Sequence, residues 1–69
     1  MVEVFKTNIH DKTTANNILA DLNQHFPRCK INFDLDDCDK ILRIESEKVV
    51  PEEVTRILKH KGYYCEVLE

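Results

Sequence analysis

CKINFDLDDCDKILRIES, residues 29–46, is the stretch with the clearest period in the chain. In its first half apolar and polar residues alternate, and this period of two predicts a half-buried strand with the inward residues Cys29, Ile31, Phe33 and Leu35. Residues 36–39 have turn chemistry, and residues 40–46 predict a returning strand that contains Ile41, Leu42 and Ile44. The segment therefore predicts a β-hairpin in the middle of the chain.

A helix is predicted before this hairpin. Apolar residues recur there at steps of three and four, which is a helical period, at Ala15, Ile18, Leu19, Leu22 and Phe26. Thr13 or Thr14 is the expected N-cap. Pro27 lacks an N–H group and disfavours a helical conformation at the residue before it, so we expect the helix to end near His25.

A second helix is predicted after the hairpin. Pro51 suits the first helical position, and Gly62 suits the left-handed position that follows the last turn. The expected buried stripe between them is Val54, Ile57 and Leu58. Residues 2–7 and 63–68 predict the first and last strands, the last with one face formed by Tyr63, Cys65 and Val67.

These elements follow one another as strand, helix, strand, strand, helix, strand in a single domain, residues 1–69. Right-handed crossovers then place both helices on one face of a four-stranded antiparallel sheet with the strand order 4-1-3-2. The sequence therefore predicts an α+β fold of the ferredoxin-like βαββαβ type. Because this architecture carries many functions, function has to be argued from a site.

Composition and charge narrow the classes of function. Thirteen acidic residues against ten basic ones give a net charge of −3, which is the wrong sign for holding a phosphate backbone, so we expect no nucleic-acid partner. No apolar run approaches the roughly 20 residues of a membrane helix, and we expect no membrane association. The three cysteines, Cys29, Cys38 and Cys65, are odd in number and form no Cys-x-x-Cys pair, which favours a reducing compartment and a cytoplasmic protein.

Several stretches resemble the heavy-metal-associated (HMA) domains, the small ferredoxin-like modules of copper chaperones, mercury-binding proteins and P-type metal ATPases. VPEEV at residues 50–54 and KGY at residues 61–63 resemble the family's second helix and its Gly-Tyr last strand. KINFDL at residues 30–35 resembles its second strand. The resemblance covers nearly the whole chain, and it implies a metal-binding loop after the first strand.

That loop departs from the family's pattern Gly-Met-Thr-Cys-x-x-Cys. Residues 8–14, NIHDKTT, contain no cysteine. When the first helices are aligned, Asp11 and Thr14 stand where the family has its two cysteines, and Ile9 stands where it has a buried Met. A two-thiolate site for Cu(I) cannot be built from these residues, so the resemblance implies a degenerate metal loop.

Such a loop can be a solvated surface loop that binds no ligand. If it has a function, two functions are open. The first is a small stand-alone, non-enzymatic binding domain that has no cofactor and recognises another protein, with the binding-loop candidates Asn8, Ile9, Thr14, Lys61 and Tyr63. The second is the binding or trafficking of a Zn- or Cu-type metal ion, because imidazole and carboxylate suit a weakly bound divalent ion. Its candidate ligands are His10 and Asp11, with His60 as a further one.

Neither an ion site in the hairpin nor catalysis is expected. Four carboxylates lie near the turn, at Asp34, Asp36, Asp37 and Asp39. They lack the Gly and the terminal Glu of a calcium loop, and Asp is a favoured turn residue, so a solvated acidic hairpin is expected. No His or Cys has an orienting acid at a spacing typical of a catalytic nucleophile, and we expect the protein not to be an enzyme.

Overall fold

The structure is a computed structural model that describes residues 1–35 and 40–68. Its elements are β1 (Val2–Thr7), α1 (Lys12–His25), β2 (Lys30–Asp34), β3 (Ile41–Glu45), α2 (Pro51–His60) and β4 (Cys65–Val67). All six predicted elements are present. The predicted turn at residues 36–39, which contains Cys38 and three of the four clustered carboxylates, lies outside the described residues.

The four strands form one antiparallel sheet in the order β2-β3-β1-β4. This is the predicted order 4-1-3-2 counted from the other edge, and the α+β ferredoxin-like βαββαβ prediction is confirmed. β1 lies in the middle of the sheet, where Phe5 stands opposite Leu42 of β3 and Val67 of β4. The two edge strands are therefore β2 and β4.

The core lies between the sheet and the two helices. Strand residues that face inward and apolar residues of both helices belong to one buried cluster, which places both helices on the same face of the sheet. Phe5, Leu22, Leu42 and Leu58 have no exposed surface, and burying a side chain of this size contributes about 1.5–3 kcal/mol. Ile57, Phe33, Tyr63 and Val67, which were predicted to face inward, are only partly buried at its margin.

The N-cap of α1 differs from the prediction. Neither Thr13 nor Thr14 caps the helix; Asp11 does, in an extended conformation with φ −122° and ψ 148°. Its carboxylate oxygen Oδ2 accepts a hydrogen bond of 2.9 Å from the backbone N–H of Thr14. The helix therefore begins at Lys12, two residues earlier than a cap at Thr13 requires, and it ends at His25 as predicted.

The ends of α2 follow the prediction. Pro51 occupies its first turn, and Gly62 has a φ of +93°, which a residue without Cβ adopts without strain. The N–H of Gly62 bonds to the carbonyl of Lys59, and the N–H of Tyr63 bonds to that of Leu58, each at 3.0 Å. This is a Schellman motif, and it satisfies carbonyls at the helix end. β4 is shorter than predicted, because the chain pairs with β1 only from Cys65.

Candidate functional site

The loop after β1 is anchored by Thr7, a side chain that is only 5% exposed. Its hydroxyl donates a hydrogen bond of 2.7 Å to the carbonyl of Lys40 and accepts one of 3.2 Å from the N–H of Ile9. The backbone N–H of Thr7 bonds to the same Lys40 carbonyl at 3.2 Å. One threonine thus ties the start of the loop to the residue that precedes β3.

The same loop is joined to the turn before β4. The amide oxygen of Asn8 accepts a hydrogen bond of 3.1 Å from the backbone N–H of Tyr64. Ile9 is 2% exposed and belongs to the core. We call residues 8–11 together with residues 61–64 the loop pole. Asn8 and Ile9, two predicted binding residues, therefore hold the loop pole together from within.

His10 and Asp11 are both exposed, and each has a local hydrogen-bond partner. The Nδ1 of His10 lies 3.0 Å from the carbonyl oxygen of Asn8. Because a carbonyl oxygen only accepts, this hydrogen bond forms in the tautomer that has its proton on Nδ1, and in that tautomer Nε2 carries the lone pair. The hydrogen bond from the Thr14 backbone, assisted by its side chain, lowers the pKa of Asp11 below its ordinary value. Asp11 is therefore anionic at neutral pH, with one of its two oxygens engaged in the helix cap.

The third predicted ligand, His60, lies at the end of α2, where it lines a groove together with His25 of α1. Among residues 1–35 and 40–68, no three His, Cys, Asp or Glu side chains lie close enough to hold a metal ion together. The structure therefore does not assemble His10, Asp11 and His60 into one site. Binding of a metal ion by His10 and Asp11 alone stays a prediction.

The other two predicted binding residues of the loop pole have structural contacts of their own. Lys61 extends its ammonium group to the carboxylate of Asp21 on α1, so its side chain is directed toward the helices. Tyr63 is partly buried and packs against the core. Both residues therefore have contacts within the domain, Lys61 through an ion pair and Tyr63 through the core.

The open face of the sheet, which neither α1 nor α2 covers, carries apolar side chains that were not among the predicted site residues. It is formed by the residues that alternate with the buried ones. Val4 lies there opposite Arg43 of β3, and its carbonyl accepts a hydrogen bond from the N–H of Leu68. On this face Val2 is 43%, Tyr64 46% and Leu68 37% exposed. The signal in the sequence was the second apolar face of β1, where Val2 and Val4 alternate with inward residues.

Two clefts lie at the end of the domain opposite the loop pole, where α1 leads into β2. Their volumes are about 490 and 270 Å³, and both are lined by Phe26, Cys29 and Lys48. The smaller cleft reaches the buried side chains of Ile44 and Val54. The charged residues that line the smaller cleft are Lys48 and Glu53, and the rest of its lining is apolar. We therefore interpret it as a packing gap at the edge of the core. Nothing in the spacing of the sequence marked this end of the domain.

The described thiols differ in accessibility. Cys65 is 2% exposed, and burial raises its pKa to about 11. Cys29 is partly buried at the wall of the clefts and, like Cys65, forms no disulfide. Cys65 is therefore a neutral core residue at physiological pH, without the thiolate that nucleophilic attack or metal binding requires.

The chain was compared with protein-family models, curated proteins and solved structures, and none of them matches it. The resemblance to HMA domains accordingly stays a prediction. No helix in residues 1–35 and 40–68 is long and apolar enough to cross a membrane.

Proposed function

We propose that this chain is a non-enzymatic binding domain that recognises a partner protein through the open face of its sheet. One observation carries the proposal: the large apolar side chains that stay exposed on β1 and around β4 lie on this one face. Val2, Tyr64 and Leu68 are each more than a third exposed there. Such side chains contribute to binding when a partner covers them, because their apolar area then leaves water.

The charges around these side chains favour a protein partner. Lys6 stands opposite Glu66 across β1 and β4, and Arg43 lies 4.0 Å from Glu45 on β3. Acidic and basic groups therefore alternate around the apolar residues. A face with both signs of charge and an apolar centre is typical of protein interfaces, whereas a nucleic-acid surface requires an excess of basic groups.

The polar groups at the loop pole support a role without catalysis. Asp11 caps a helix, Thr7 and Asn8 join backbone segments, and the Tyr64 hydroxyl contacts the carboxylate of Glu66. These hydrogen bonds use the groups that a reaction would otherwise need. The loop after β1 occupies the position of the metal-binding loop in HMA domains. In this proposal it supports the structure beside the open face.

The proposal is tested by quantitative capture with two matched variants. Leu68→Glu adds a negative charge to the open face, and Asn17→Glu adds the same charge to the exposed surface of α1. We expect the native domain and N17E to retain the same partner from cell extract, and L68E to lose it. Equal retention by L68E and N17E, with both variants folded, would assign the binding to another surface.

A second candidate function, binding of a divalent ion at His10, is favoured by one observation. A histidine that ligates a metal usually donates its other ring N–H to a carbonyl or carboxylate, and the Nδ1 of His10 is within hydrogen-bond distance of the Asn8 carbonyl. Imidazole and a carboxylate oxygen of Asp11 suit Zn(II), and they do not suit Cu(I), which selects thiolates.

This second function is tested by adding Zn(II) to reduced protein while the backbone amide signals are recorded. We expect weak, saturable shifts at residues 8–14 and 61–64, and they should weaken in acid because protons compete with the metal for its ligands. His10→Gln should abolish the shifts, and His25→Gln should leave them unchanged. If H10Q and the native protein respond alike, His10 is not a ligand.

A further inference from the structure

A groove on the helical side of the domain has the opposite charge to the chain as a whole. It has a volume of about 300 Å³ and lies between the end of α1 and the second half of α2. Its lining consists of His25, Arg56, Ile57, His60 and Lys61. Four of these five carry basic nitrogen groups and none is a carboxylate, although the chain has a net charge of −3.

Three of the four basic side chains have no polar partner within residues 1–35 and 40–68. The imidazoles of His25 and His60 and the guanidinium of Arg56 take part in no hydrogen bond or ion pair there. The ring of His25 has only a tilted contact with Phe26, at 6.2 Å between centroids. Lys61 is the exception, since it pairs with Asp21. The donors that line the groove are therefore available to a ligand.

The helix end beside the groove does not cancel this positive charge. The last carbonyls of a helix carry partial negative charge and would repel an anion. Here the carbonyls of Ile57, Leu58 and Lys59 each accept a hydrogen bond from residues 61–63. The carboxylate of Asp21 on α1 is not part of the groove lining, and it pairs with the ammonium group of Lys61. Glu52 and Glu53, one turn before Arg56, form no ion pair with it in the described part of the chain.

We infer that this groove binds an oxyanion of the phosphate class, as inorganic phosphate or as a phosphate monoester. Arg56 supplies a planar fork that matches two phosphate oxygens, and the two imidazoles add further N–H donors. Ile57 gives the groove one apolar wall, which suits the organic part of a monoester. A volume of about 300 Å³ is at the lower limit for ligand sites and is large enough for a small phosphorylated molecule.

The inference is tested by titrating the protein with sodium phosphate and with phenyl phosphate at pH 6.5, against sodium chloride at equal ionic strength. We expect saturable shifts of the backbone amide signals of residues 25, 56, 57, 60 and 61 with both phosphates and not with chloride. Tighter binding of phenyl phosphate would identify a monoester as the ligand class, and equal or tighter binding of inorganic phosphate would identify the free anion.

Charge variants separate a specific site from general attraction. Arg56→Gln should weaken binding about tenfold, the loss that corresponds to one charge-assisted hydrogen bond. Arg43→Gln removes the same charge from the open sheet face and should leave the affinity unchanged. Asp21→Asn releases Lys61 and removes an acidic neighbour, so it should tighten binding about threefold.

Three results would overturn the inference: shifts no larger than those with chloride, equal weakening by R56Q and R43Q, or weaker binding by a folded D21N protein. None of these results affects the proposed protein binding at the open face, because the groove lies on the other side of the sheet from Val4 and Leu68. Amide spectra of each variant without ligand show whether it is folded.

Discussion

Replacing Thr7 by valine removes the anchor of the loop pole while keeping the shape of the side chain. The Thr7 hydroxyl is the acceptor for the buried N–H of Ile9, and it is a second donor to the Lys40 carbonyl. In the variant that carbonyl keeps its bond of 3.2 Å from the Thr7 backbone, but the Ile9 N–H loses its partner. An unsatisfied buried donor costs about 1–3 kcal/mol, and we expect T7V to lower the free energy of unfolding by about 2 kcal/mol.

That loss is large for a chain of 69 residues, whose total stability is on the order of 3–10 kcal/mol. It corresponds to a fall in Tm of about 8–16 °C, since 1 kcal/mol shifts Tm by about 4–8 °C in domains of this size. Urea unfolding measures the free energy, and hydrogen exchange of the Ile9 amide reports the lost bond directly.

Thr55→Val is the matched control. The Thr55 hydroxyl donates to the carbonyl of Glu52 at 3.1 Å on the exposed surface of α2, where water replaces it, and its removal should change stability by less than about 0.5 kcal/mol. If T7V cost no more than T55V, the hydroxyl of Thr7 would not anchor the loop and the account of the loop pole would be wrong.

Three further predictions concern the core, the thiols and the helix cap. Leu22→Ala, at a side chain with no exposed surface, should cost about 2–5 kcal/mol in urea unfolding, and a cost below 0.5 kcal/mol would exclude it from the core. Cys29 and Cys65 lie at opposite edges of the sheet, so mass spectrometry after alkylation without reduction should find Cys29 modified, Cys65 protected and no bond between them; a Cys29–Cys65 disulfide would contradict the strand order. The lowered pKa of Asp11 means that its cap contributes stability above its unfolded pKa, and that this contribution is lost as the pH falls through the folded value. Asp11→Asn should therefore reduce the dependence of stability on pH in the acid range, and an identical acid profile in both proteins would show that the carboxylate is not bonded to the Thr14 N–H.

The fold could be predicted from the sequence because most elements have their own local signal. Ile31 and Phe33 alternate with polar residues, which fixes a strand, while Leu22 belongs to a stripe with helical spacing. Pro51 and Gly62 mark both ends of α2 through backbone geometry that few other residues allow. Each of these signals depends on only a few neighbouring residues. The rule that crossover connections are right-handed then selected one order of the strands in the sheet.

The cap of α1 could not be chosen on the same basis. Asp11, Thr13 and Thr14 are all good capping residues, and they stand within four positions of one another. The choice depends on where the extended backbone of the loop turns into helix. That point is set by the burial of Ile9 and by its bond to Thr7, which are tertiary features.

For the candidate site at the loop pole, the sequence predicted which residues lie near one another but not the contacts they make. The position of the loop beside the turn of residues 61–63 follows from the topology, and the Asn8–Tyr64 hydrogen bond confirms it. The role of Thr7 depends on Lys40, which is 33 residues away, and no local pattern indicates such a pair. The groove of His25 and Arg56 likewise lies between residues of two different helices, which spacing within either helix does not reveal.

Photo-crosslinking from single positions tests the proposed binding face most directly. A photoreactive phenylalanine analogue is placed at Val4 or Leu68 on the open face, and at Asn17 on the exposed surface of α1 as the control. We expect positions 4 and 68 to crosslink to the same partner protein and position 17 not to crosslink to it. Crosslinking from position 17 alone, or no crosslinked protein from positions 4 and 68, would contradict the proposed binding face.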